Sequence, residues 1–165
     1  MADVAQFNFW KKHQTQLFLR TAGTAELPTW SRLGLSTVLS IAMNTESEDY
    51  DFIKDENPTT IVEKYAPSLS QECMAKEGDS CFEYLWGLFY DMKYGTEVDT
   101  EALIVFPKAS DGNSMQAWNM PATIILNDFD AVAKKISFDI KTAGTIVKGS
   151  AVVTDGKPVF TAAKA

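Results

Sequence analysis

Few side chains in this sequence stand where they could do chemistry, and each has a plainer alternative. The single histidine, His13, could serve as a base, but no serine or cysteine nucleophile lies near it in sequence. Asp49, Asp51 and Asp55 crowd together as oxygen ligands for Ca²⁺ would. They lack the glycine and the closing glutamate of an EF-hand loop. Glu97 and Glu101 are carboxylates of the kind that glycoside hydrolysis pairs. At i and i+4 of a strand they share a face but stand too far apart to share a proton. Lys148-Gly149-Ser150 matches the end of a phosphate loop without its upstream glycines. No G-x-G-x-x-G, C-x-x-C, H-E-x-x-H or G-x-S-x-G is present. The expectation is a chain that is no enzyme and holds no cofactor and no metal.

Cys73 and Cys81 are the two cysteines. With no basic-then-apolar pattern at Met1-Ala2-Asp3, they read as free thiols of a reducing compartment, a Cys73–Cys81 bridge being the alternative. No apolar run approaches the roughly 18 residues of a membrane span. The net charge is −7 and is uneven. Residues 44–111 carry 16 acids against 5 bases, while both flanks are mildly basic. An acidic chain is ill suited to gripping nucleic acid through phosphates. An acidic middle between basic ends does suit head-to-tail self-association, which high salt would weaken.

The pattern that must position these residues is mostly β. Residues 1–14 read as an arm and 15–165 as one β domain of seven to nine strands. Strands are expected at 16–22, 30–34, 35–43, 59–65 and 69–75, and then through 102–106 and 115–127 with a break near Pro121. Lys134–Thr142 alternates cleanly, with Ile136, Phe138 and Ile140 on one face. Asp155-Gly156 between two β-rich runs is a hairpin signal. One helix is expected at about 80–93, capped by Asp79 or Ser80 and stopped near Gly95. Phe82, Leu85, Trp86 and Phe89 form its core stripe. The fold class is mostly β: two packed antiparallel sheets, a sandwich or partly open barrel, with one flanking helix. Residues 44–58 read as a long acidic loop. Tyr50, Phe52 and Ile53 within it are too apolar for a purely solvated segment.

The stretch Asn44-Thr-Glu-Ser-Glu-Asp-Tyr-Asp-Phe-Ile-Lys-Asp-Glu-Asn-Pro-Thr-Thr60 resembles the loop of major tail tube proteins from long-tailed, non-contractile (siphovirus-type) bacteriophages. Tyr65, Pro67-Ser68-Leu69-Ser70-Gln71, the turn at Gly78 and Phe82-Glu83-Tyr84 extend the likeness. It covers residues 35–95 and beyond them rests on strand pattern. The resemblance implies a structural subunit of the virion tail, made and assembled in the host bacterial cytoplasm. Such subunits form hexameric rings that stack into a tube conducting DNA from capsid to host. The implied partners are further copies of the chain, the tail tip or baseplate, the tape measure protein and the tail terminator. DNA passes transiently and no membrane is involved.

On this reading Asn44, Glu46, Asp49, Tyr50, Phe52, Ile53, Asp55 and Pro58 form the inter-ring loop interface. Glu97, Asp99 and Glu101 form a period-two acidic face that would line the lumen and repel phosphate. The tube of a contractile tail, a tailocin or another injection system is the near alternative. A monomeric β-sandwich binding module, stacking ligand on Trp10, Trp30 or Trp118, is the alternative from another class.

Overall fold

In the computed structural model, which describes residues 9–24, 26–110 and 112–164, the chain is mostly antiparallel β with one α-helix. Residues 1–8 of the expected arm lie outside the described residues; Lys12–Gln14 form a 3₁₀ turn.

The cleanest alternation in the sequence produces a cleanly two-faced strand. Ile136, Phe138 and Ile140 are fully buried on one face of β9 (Lys135–Thr142). Opposite them on β6 (Ser68–Met74) stand Cys73, Gln71 and Leu69, which are buried too. On its other side β9 pairs with β8 (Met115–Asp130).

β8 organises the rest. β7 (Asp99–Ala109) runs along one of its edges. The other edge is divided: β10 (Val147–Thr154) takes Met115–Asn119, and β9 takes Ala122–Asp130. Pro121 falls in the gap between them. Its carbonyl accepts from the Ala143 N–H at 2.8 Å. In an antiparallel ladder a residue's N–H and C=O point to the same edge. The N–H that proline lacks would therefore have pointed into the gap, and the β7 ladder is unharmed. For this reason the break expected near Pro121 does not occur.

β1 (Gln16–Gly23) lies beside β7 and pairs in turn with β2 (Pro28–Arg32). β11 (Lys157–Ala162) folds back on β10 through Asp155 (φ 52°) and Gly156 (φ 75°), as a type I′ hairpin turn requires. β3 (Ile41–Ala42) edges β6. The expected layers are thus limbs of one nine-stranded sheet, and β11 returns against β2 so that one limb curls towards closure.

That curl covers one face of the central strands, and the helix covers the other. Leu17, Phe18 and Leu19 are consecutive and all buried, as are Ala102, Leu103, Ile104 and Val105. Leu17, Leu19 and Ile104 join the larger apolar cluster, whereas Phe18, Leu103 and Val105 join a smaller one with Ala117, Ala151 and Trp30. A strand covered on both faces loses its polar alternation.

The helix α1 (Ser80–Tyr90) flanks the larger cluster. The Asp79 carboxylate accepts from the Phe82 N–H at 3.0 Å and caps it. The helix ends at Tyr90, short of the expected residue 93; Met92 then takes φ 48° and leaves the helical region. Its core face is Cys81, Phe82, Leu85 and Leu88. Trp86 and Phe89 are half-buried and pack on Phe129 at 5.7 and 5.8 Å between ring centroids. Phe82 and Leu85 of the expected stripe are therefore core, whereas Cys81 and Leu88 take the places expected for Trp86 and Phe89, whose rings close the flank.

The strand expected at 35–43 is also corrected. Only Ile41–Ala42 pair. Residues 33–40 form an irregular link, tied to β6 by the Met74 N–H donating to the Leu35 carbonyl and by Ser36 and Thr37 hydroxyls donating to Gln71 and Glu72.

Candidate functional site

The expected acidic loop is largely a hairpin. β4 (Glu46–Tyr50) and β5 (Thr59–Lys64) pair with each other and with no strand of the main sheet. Residues 51–58 are its tip. Every residue from Ala42 to Ala66 is exposed except Tyr50, which is half-buried. An isolated two-stranded hairpin is marginal in water, and this one is held by local polar contacts. Lys64 Nζ lies 3.0 Å from Glu46 Oε2, and the Thr60 hydroxyl donates to Asp49 at 2.6 Å. The Tyr50 hydroxyl lies 3.0 Å from Glu48 Oε2 and 3.1 Å from Glu63 Oε1. Those two carboxylates, Glu48 foremost, hold the phenol proton and raise its pKa above the ordinary tyrosine value. Tyr50 also stacks on Phe52, centroids 5.6 Å apart.

The expected interface residues divide by position. Asn44 sits at the root. Its φ is 48°, a conformation asparagine tolerates. Its Nδ2 donates to the Ala66 carbonyl at 2.9 Å and to Ser68 Oγ at 2.7 Å. Glu46, Asp49 and Tyr50 belong to the ladder. Phe52, Ile53 and Asp55 are at the tip, and Pro58 precedes β5. Ile53 is fully exposed, and Ile61 and Val62 of β5 are exposed as well. Ile61 and Val62 were missed as interface candidates because β-rich residues read as an ordinary strand.

Glu97, Asp99 and Glu101 do not form one strand face. Glu97 lies in a 3₁₀ turn, Gly95–Val98, so its spacing of two does not place it with the others. Asp99 and Glu101 do share a face of β7. Glu101 is paired with Arg20 at 3.2 Å, and Asp99 accepts from the Thr123 hydroxyl at 2.9 Å.

The other candidates disperse. Lys148-Gly149-Ser150 lies within β10 and forms no phosphate loop. Trp30 joins the smaller core, and Trp118 stands edge-on to Phe106 at 5.2 Å; Trp10 is exposed, so the three build no common platform. Cys73 and Cys81 are free and buried. Hydrogen bonding between the two thiols lowers the Cys73 pKa and, with burial, raises that of Cys81. Among the described residues no three His, Cys, Asp or Glu side chains converge as a metal site would need. No helix among them is long and apolar enough to cross a membrane.

No protein-family model and no curated protein matches this chain. Solved structures do resemble it. One is a chain in the tail of an empty gene transfer agent particle with C6 symmetry, at 12% identity and a TM-score of 0.56, covering 84% of this chain and 97% of that one. A chain in the virion of the native gene transfer agent particle gives the same figures. A chain of the six-fold symmetrised anti-feeding prophage baseplate is more distant, at 8% identity and a TM-score of 0.46, covering 87% of this chain and 97% of that one. The fold is therefore that of gene transfer agent particle chains: a large antiparallel sheet, a small second sheet and one helix.

Proposed function

We propose that this chain is a non-enzymatic subunit of a phage-like tail tube, stacking as hexameric rings around a lumen that conducts DNA. The observation that carries the proposal is the arm formed by β4 and β5. It projects four apolar side chains, Phe52, Ile53, Ile61 and Val62, into solvent from a fold shared with a chain of a C6-symmetric tail. Such a surface on a single chain marks an interaction site. A contact between unlike surfaces repeats, so rings and stacks follow from one subunit type. The short edge strand β3 would find a partner in such an assembly. The long-tailed, non-contractile type is the form favoured by the likeness of residues 35–95 described above. The tail tip, tape measure and terminator proteins are its expected partners, and Asp99 its remaining lumen candidate.

Negative-stain electron microscopy of the purified protein at high concentration tests this. Rings or hollow tubes wide enough for a DNA duplex are expected. Dispersed monomers at every concentration, and also after addition of a tail-tip complex, would refute it.

A further inference from the structure

We propose that a groove beside β2 receives the arm tip of a second copy of this chain. This rests on the self-assembly proposed above and names the two surfaces that would meet. The groove, of about 730 Å³, opens between the 3₁₀ turn Lys12–Gln14, the end of β2 and the irregular link 33–40. Leu33, Val38, Leu39 and Phe106 line it, and of these Val38 and Leu39 are exposed in the single chain. Its rim is basic. Lys12 and Arg32 border it, and Arg32 is steadied by donating to the His13 carbonyl at 3.2 Å. Among the described residues no acidic side chain lines it.

The lining also includes a buried amide. Gln71 lies in the lining and is buried. Its Oε1 accepts from Ser36 Oγ at 3.3 Å, whereas its Nε2 has no acceptor among the described residues. That nitrogen is enclosed by the fold, so it is a standing cost within the chain and not a contact for an occupant.

The arm tip offers the complement. Phe52 and Ile53 supply apolar surface for Val38 and Leu39. Asp51, Asp55 and Glu56 outnumber the tip's one cation, Lys54, and would face Lys12 and Arg32. All of residues 51–58 are exposed and none lines the groove, so a tip seated there belongs to another copy. Tip and groove are different surfaces of one chain, which makes the contact heterologous and repeating.

Paired cysteines test the docking. The chain carrying Ile53→Cys and Leu39→Cys is assembled and then oxidised; the native Cys73 and Cys81 are buried and do not compete. A ladder of covalent multimers beyond the dimer is expected, absent from either single variant. A charge swap covers the case in which the cysteines disturb assembly. Lys12→Glu with Arg32→Glu should lower the sedimenting fraction by about tenfold. Adding Asp51→Lys and Asp55→Lys to that chain should restore it. Assemblies that form without a ladder, or an internal cross-link that only shifts the monomer band, would overturn the docking and leave the proposed function standing. A native chain that never assembles refutes that function instead, and this inference with it.

Discussion

Serine in place of Ile53 should leave the single chain as stable as before and cripple its association. Ile53 has a relative exposure of 109%, so nothing of its side chain is buried in its own fold. Removing it should move folding stability by no more than the roughly 0.5 kcal/mol typical of surface changes. Buried against a neighbour, an isoleucine is worth roughly 1.5–3 kcal/mol. At about 1.4 kcal/mol per factor of ten, each contact weakens about ten- to a hundredfold. Repeated around a ring, the loss compounds. Thermal melting of dilute protein reads the first effect, and the critical concentration for sedimentable assemblies reads the second. A fall in melting temperature beyond the roughly 2–4 °C that 1 kcal/mol produces in a chain of this size would show that Ile53 packs within its own chain. An unchanged critical concentration would remove the tip from the interface. Phe52→Ser is a less clean probe, because Phe52 stacks on Tyr50 and is 40% exposed.

Three further outcomes follow from the geometry. A Cβ on Gly149 would fall 2.2 Å from the Thr161 carbonyl oxygen and 2.9 Å from Ala162 Cα, so Gly149→Ala must push β11 off β10; a loss of about 1–3 kcal/mol in urea unfolding is expected, and native stability would refute the close approach. Glu72 is hydrogen-bonded to Lys135 at 2.6 Å and also to Thr37, and both lower its pKa in the folded chain, the lysine more. Its contribution is present above the ordinary carboxylate pKa and is lost as pH falls through the depressed folded value, so Glu72→Gln should flatten the fall in melting temperature between about pH 5 and pH 3; an unchanged acid limb would show that the pair adds nothing. Cys73 and Cys81 should resist alkylation in the folded protein and react together on unfolding, followed by mass spectrometry; rapid labelling of either in native buffer would contradict their burial.

What could be read from the sequence depended on how many neighbours each residue has. Ile136, Phe138 and Ile140 announced β9 because one face is core and the other is not. The Asp155-Gly156 turn and the Asp79 cap are local chemistry, legible without any partner. β4 was hidden because Glu46-Ser47-Glu48-Asp49 has no buried face to imprint an alternation. The link 33–40 misled in the opposite way: its leucines and valine suggest a strand, yet Leu33, Val38 and Leu39 line a groove and Leu35 packs on the core. In α1 the period and the positions of Phe82 and Leu85 were legible, but Trp86 and Phe89 outrank Leu88 in bulk and not in burial. Residues whose roles depend on tertiary company fared worst. Glu101 looked like part of an acidic stripe until Arg20, far away in sequence, came to lie beside it.

The arm's attachment has a mechanical consequence. On one side it is joined through β3, whose pairing with β6 spans only Ile41 and Ala42, and through the Asn44 clamp; on the other it enters β6 directly after Pro67. So short a ladder unzips far more readily than the long ladders of β7, β8 and β9. In a filament linked by such arms, bending would be absorbed at their roots while each body stayed stiff. Compliance and rigidity would then belong to different stretches of one chain, and curvature of the filament would not strain the walls of its lumen.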